Sequence, residues 1–297
     1  MNRLLDLGLI SAAIRIGAPL LFAALGTVFV SSAGMINISV EGSMLVGTFA
    51  AVVISYLTQS AFLGFLAAGV AGLFLAGVVS FLIVQWKGDA IVVGLGGNLF
   101  AWGVTVFLLE ELLHMRGTFT GSPVPFFHPL GIPVLQGIPV VRDILSGYSM
   151  PVYLSVLLAI LIWVMMYKTP SGLIVRSTGN NAEAVRAVGT DVQKVQILCF
   201  MASGFLAGLG GACLSIANLQ GFWSENMTNG RGYIALCAAA FGRNNPAMVL
   251  LACLLFGVAE AIGIRSQVLR LPPTFVLMIP YVLTIIMLTA STRRERL

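Results

Sequence analysis

The sequence predicts an all-α membrane protein, a polytopic helical bundle of about 8–9 transmembrane segments that include one short, broken re-entrant helix. Three observations predict it. Of 297 residues, 58% are apolar and only 9% are charged, and the mean hydropathy is +0.99. A water-soluble domain carries roughly 25% charged residues, so this chain cannot cover a globule with polar side chains. The apolar residues gather into runs, most of them near the roughly 20 residues that cross a hydrocarbon core. The sixteen Lys and Arg are spread over the ends of those runs rather than on one face, which excludes the basic patch of a nucleic-acid binder. With this many spans, residues 1–297 form a single transmembrane domain, with no room for a folded extramembrane one.

The elements follow in order. The first run, residues 8–30, is too continuous for a removable signal peptide and is expected to persist as a helix. Runs at 35–57, 61–86 and 90–112 come next. Residues 113–149 carry Pro123, Pro125, Pro129, Pro133 and Pro139 among several glycines, which rules out a continuous helix and predicts an extracytoplasmic cap. Its length exceeds an ordinary connection and points to contact with a partner. Runs at 150–167 and 195–219 flank a more polar segment, 168–194. The run at 232–242 is about half a span, preceded by Gly230 and Gly232 and followed by Gly242 and Pro246, so a half-helix buried among others is expected. Runs at 247–264 and 274–290 complete the bundle.

Basic residues in short loops set orientation. Lys168, Arg176, Arg186 and Lys194, then Arg293, Arg294 and Arg296, mark the cytoplasmic side. Counting back from them puts the C-terminus inside and the N-terminus outside, although Arg3 and Arg15 pull the other way.

Polar residues inside the runs are the candidates for function. Gly34-Met35-Ile36-Asn37-Ile38-Ser39-Val40-Glu41-Gly42-Ser43 is too polar to meet lipid. An intramembrane carboxylate costs at least about 2.5 kcal/mol, so Glu41 requires a partner, a proton or a wet cavity. It is expected either to line a path at a break in the helix or to bond a neighbouring helix and fix packing. Asn98 and Glu260 also lie inside their runs, and Asn218 and Gln220 lie near the outer end of theirs. Gly94, Gly96 and Gly97 lack the Lys-Ser or Lys-Thr of a phosphate-binding loop. Cys199, Cys213, Cys237 and Cys253 lack metal-ligand spacing and read as small core residues, so no metal and no cofactor are expected. Gly204, Gly208 and Gly211, and separately Ala68 and Gly72, have the spacing of close helix packing within one chain.

Within 168–194, Asn180 or Asn181 can cap a helix over Ala182 to Val188, Gly189 can stop it, and Asp191 can cap the next span. Two turns are marginal alone, so docking on a partner is expected to support them.

At these places the chain resembles the membrane permeases of ATP-binding-cassette importers, in the branch handling simple sugars, nucleosides and branched-chain amino acids. The residues that carry the resemblance are Gly34 to Gly42, the segment from Gly172 to Gly189, and Gly230-Arg231-Gly232-Tyr233-Ile234-Ala235-Leu236 followed by Gly242-Arg243-Asn244-Asn245-Pro246. Asn244 stands where that family usually has an aromatic residue. The Glu41-Gly42 ending is similar to nucleoside and simple-sugar members, and one helix usual ahead of the Gly34 stretch in sugar-type members is missing here, as in shorter nucleoside permeases. The resemblance implies a type II-like importer fold in the bacterial inner membrane with no catalysis of its own. It also implies two ATPase subunits docked at Asn181, Ala182, Glu183, Arg186 and Gly189, a second permease forming a heterodimer or homodimer, and an extracytoplasmic solute-binding protein. The expected substrate path is Asn37, Glu41, Asn98 and Asn218, carrying a nucleoside, with a simple sugar as the alternative and branched-chain amino acids less favoured. A different class, an ion- or proton-coupled secondary transporter with Glu41 and Glu260 as proton sites, has no need of a coupling segment at 168–194.

Overall fold

The computed structural model describes residues 7–119, 123–130 and 147–267. Helices α1 (Leu7–Ser32), α2 (Val40–Thr58), α3 (Ala61–Val84) and α4 (Ala90–Leu113) precede α5 (Met150–Lys168). Then come α6 (Pro170–Asn180), α7 (Ala182–Ala187), α8 (Val192–Ala212), α9 (Arg231–Phe241) and α10 (Pro246–Gln267). A π-helical turn, Cys213–Asn218, extends α8. Two-residue strands β1 (Thr118–Phe119) and β4 (Trp223–Ser224) pair antiparallel, as do β2 (Pro129–Leu130) and β3 (Tyr148–Ser149). Among the described residues seven helices are long and apolar enough to cross a membrane, and α9 is the short apolar one. The run expected at 274–290, the basic cluster from Arg293 to Arg296, and Arg3 lie outside the described residues.

Local chemistry explains where the helices begin and end. The Asp89 side chain accepts from the Ile91 and Val92 N–H groups, both at 3.0 Å, and starts α4. Gln59 and His114, at φ of 54° and 52°, end α2 and α4 in the left-handed conformation. The second span opens at Val40 rather than at residue 35. The reason is Asn37, whose Oδ1 accepts from the Ser39 N–H at 3.0 Å and its hydroxyl at 2.6 Å, holding a turn against the helix.

α8 is the axis of the bundle, packed by α1, α2 and α3. The two small-residue series in the sequence meet each other here: a Cβ on Gly72 would collide with the Gly204 carbonyl oxygen, and one on Gly208 with the Ala68 carbonyl oxygen. With apolar surface on every side already solvated by lipid tails, this close backbone approach supplies the van der Waals contact that holds spans together. α10 lies along α1. The outer face of α3 presents Phe62, Leu66, Val70 and Phe74, each at least 41% exposed, which suits lipid. α4 is the least enclosed span, with 17% of its most apolar stretch buried, so most of its surface is left for lipid or a second chain.

The proline-rich cap folds back onto the bundle in its described parts. The Ser55 hydroxyl donates to the Pro125 carbonyl at 2.7 Å, and the Phe127 N–H donates to the Ile216 carbonyl at 3.0 Å. Phe119 and Phe127 stack edge-on against Tyr56 and Phe65.

Candidate functional site

The site is built where three interruptions of helix coincide: the turn before α2, the irregular stretch 219–230, and the start of α9. The Asn37 Nδ2 donates to the Ser203 hydroxyl at 3.1 Å. Ser203 lies about 17 Å along α8 from its first residue at 1.5 Å per residue, and α8 with its π-turn is 27 residues long. The start of α2 therefore sits near the middle of the bundle.

Glu41, in the first turn of α2, is buried and its carboxylate closes the N-terminus of α9. Oε1 accepts from the Thr228 hydroxyl at 2.6 Å and the Gly230 N–H at 2.8 Å, and Oε2 accepts from the Gly232 N–H at 2.6 Å. A half-helix that begins at mid-depth leaves its first N–H groups without water, and a carboxylate both accepts from them and complements the positive end of the helix dipole. Gly232 is required by proximity, since a Cβ there would lie 2.6 Å from the Glu41 Cα. The other flank of α9 is held by Arg231, whose Nη2 donates to the Glu260 carboxylate of α10 at 2.5 Å in a mostly buried ion pair. Of the two expectations for Glu41, this geometry supplies the bonding partner on a neighbouring helix.

Asn98 joins α4 to the same junction. Its Oδ1 accepts from the Gly42 N–H at 2.7 Å, and its Nδ2 donates to the Ile38 carbonyl at 3.0 Å and the Tyr233 hydroxyl at 2.8 Å. Asn37, Glu41 and Asn98 are thus brought together. Asn218 is placed elsewhere: its Nδ2 donates to the Arg15 carbonyl of α1 at 2.9 Å, and its Oδ1 is buried without a partner among the described residues. Thr228 and Tyr233 complete the junction and Trp102 bonds Glu225 beside it; of these only Tyr233 was named from the sequence, as part of the resemblance rather than as a site residue. A usable signal was present in Ser224-Glu225-Asn226-Met227-Thr228-Asn229-Gly230, a polar stretch between two apolar runs.

Beside the C-terminal end of α1, the segment 168–194 takes the capped form expected of it. The Asn181 side chain accepts from the Ala184 N–H at 3.0 Å and starts α7, Gly189 at φ 83° ends it, and Asp191 accepts from the Gln193 and Lys194 N–H groups at 3.0 and 3.2 Å. The Lys194 backbone N–H, above all, holds the Asp191 carboxyl below its usual range. Ala182 is half-buried, whereas Glu183, Arg186, Ala187 and Gly189 are exposed and Val188 is 79% exposed. Preceding them, α6 was not expected. Its signal was Thr169-Pro170, a capping side chain followed by a proline in the first turn. The end of α6 touches the break after α1, where Gly179 Cα lies 3.0 Å from the position of a Cβ on Gly34.

The family model for the permease component of the branched-chain amino acid transport system matches residues 9–288. The chain is 33% identical to the guanosine ABC transporter permease protein NupQ of Bacillus subtilis, over 96% of this chain and 92% of that one. It is 32% identical to the nucleoside ABC transporter permease protein NupC of Lactococcus lactis, over 91% and 87%. In three dimensions it resembles a chain from an inward-facing structure of a transporter described as of metal-chelate ABC type, with TM-score 0.53, 12% identity and coverage of 95% and 85%.

Proposed function

The chain belongs to the family of branched-chain-amino-acid-type transport permeases, and from that membership we propose that it is one of two permease subunits of an importer that carries nucleosides into the cytoplasm. ATP is hydrolysed on partner subunits that dock on α7, a solute-binding protein delivers the nucleoside at the 113–149 end, and a second permease covers the open side of α4. The α7 end faces the cytoplasm, the 113–149 end faces outward, and the protein resides in the inner membrane. The names of the two similar proteins support nucleosides as substrate.

One observation carries the coupling. An exposed, doubly capped helix, α7, follows α6, and α6 touches the backbone at Gly34. That contact leads directly to the turn that holds Asn37 and positions Glu41. A displacement of α7 by a partner therefore has a short rigid route to the mid-depth junction, and ATP binding can bias outward-open against inward-open states only through such differential contacts.

The test is uptake of labelled guanosine by the native host and by a strain lacking this chain, with ribose and leucine as competitors. Uptake is expected to require this chain, to survive collapse of the proton gradient while ATP is maintained, and to be competed by nucleosides. Competition by ribose alone would replace the substrate, and loss of uptake with the proton gradient would sink the ATP-driven reading.

A further inference from the structure

Resting on the reading of this chain as a nucleoside permease, we propose that Tyr233 and Trp102, positioned by Asn98 and Glu225, form the wall against which the nucleoside base stacks as it crosses. The stretch from Leu219 to Gly230 is largely irregular and runs down the side of α2: the Trp223 Nε1 donates to the Thr48 hydroxyl and the Thr228 hydroxyl to Glu41, two helical turns deeper. Glu225, Asn226 and Asn229 are exposed along it. An exposed carboxylate and irregular backbone at that depth cannot face hydrocarbon and are tolerated only where they line water or are covered by protein, and three exposed polar side chains in one strip favour water. The wholly apolar outer stripe of α3 shows what a lipid-facing surface of this chain looks like.

Two aromatic rings border that wet strip. The Trp102 Nε1 donates to Glu225 Oε1 at 3.0 Å, and Trp102 is 44% and Tyr233 37% exposed. Asn98 lies one turn before Trp102 on the same flank of α4. Its three hydrogen bonds occupy its amide N–H donors and engage its carbonyl, so its part is to aim Tyr233 rather than to hold solute. Because the Tyr233 oxygen accepts from Asn98, the phenolic proton is left to donate to a solute acceptor. The second oxygen of Glu225 has no hydrogen-bond donor among the described residues and can accept from a ribose hydroxyl. Beyond Glu225 the strip opens into a cavity of about 400 Å³ that Glu110, Met115 and Arg116 also line, a size suited to a small ligand. Aromatic planes plus directed donors and acceptors match a base joined to a hydroxylated ring, because stacking is available to every base whereas a free sugar offers no π-face.

The test uses the assembled transporter in cells, comparing guanosine with uridine. Tyr233→Ala and Trp102→Ala are each expected to lower guanosine uptake by about 5-fold or more, the loss of one stacking contact, and uridine uptake by less, because its single ring stacks over a smaller area, while Tyr233→Phe keeps the wild-type ratio of the two. In parallel, Glu225→Cys is expected to react with a water-soluble thiol reagent in the assembled transporter, above the reactivity of the parent chain, and to be protected by guanosine. An unchanged ratio in both alanine variants, or a cysteine at 225 that does not react because protein covers it, overturns the inference while leaving nucleoside transport standing. Wild-type uptake of neither nucleoside overturns the nucleoside reading and this inference with it.

Discussion

Glu41 reaches from the first turn of α2 to the first turn of α9, where its Oε2 accepts from the Gly232 N–H at 2.6 Å. A single carboxylate therefore serves as the N-terminal cap of a helix 191 residues further along the chain. It ties α2 to the half-helix that the ion pair Arg231–Glu260 ties to α10. Any movement of α2 is passed to α9 through three hydrogen bonds rather than through apolar contact alone.

Removing that cap should cost stability before it changes anything else. Glu41→Ala leaves the Gly230 and Gly232 N–H groups without their acceptor, a loss of about 2–6 kcal/mol at about 1–3 kcal/mol per unsatisfied group. Glu41→Gln keeps a carbonyl acceptor for part of the set and should lose less. Thermal unfolding of the purified chain in detergent reads the order wild type, Gln, Ala, and an alanine variant as stable as wild type would contradict the capping role.

The small-residue seam makes a contrasting pair of substitutions informative. Gly72→Ala drives a methyl into the Gly204 carbonyl, with an expected cost of about 1–3 kcal/mol for overpacking. Gly96→Ala meets nothing within 4 Å on the open side of α4, so it should be neutral or stabilising by up to about 1 kcal/mol through helix propensity. Expression level and unfolding temperature distinguish the two, and equal effects would show that the seam is not what holds α3 to α8.

Gly189 separates conformation from packing. Its φ is 83° and a Cβ there meets nothing within 4 Å, so the whole penalty of substitution is conformational. Gly189→Val should strain the end of α7 by about 1–2 kcal/mol, whereas Gly189→Asn should be tolerated because asparagine visits this conformation. The valine variant is expected to assemble with its partners and hydrolyse ATP yet import several-fold less nucleoside. Normal uptake by the valine variant would remove α7 from the coupling route.

What the sequence by itself determined is everything that depends on near neighbours along the chain. Membrane residence follows from how few of its side chains are charged. The described spans follow from the length of apolar runs, the half-helix from the glycines and proline that bracket 232–242, and α7 from Asn181 and Gly189. These are contributions of local hydrophobicity and backbone geometry, which act over a few residues. Even α6 was legible in Thr169-Pro170, a local signal passed over because the segment around it is polar.

The tertiary structure alone decided which partner each polar group found. On the sequence alone Glu41 could have faced water or protein, and only the fold brings Gly230 and Gly232 to it. The same holds for Asn98, whose bonds to Gly42 and Tyr233 join residues 56 and 135 positions away, and for Asn218, which the bundle turns toward Arg15 and away from the junction. The physical reason is that a buried hydrogen bond is satisfied by whatever donor packing delivers to within about 3 Å. In a bundle of long helices that donor is set by which faces pack, and separation along the chain carries no information about it.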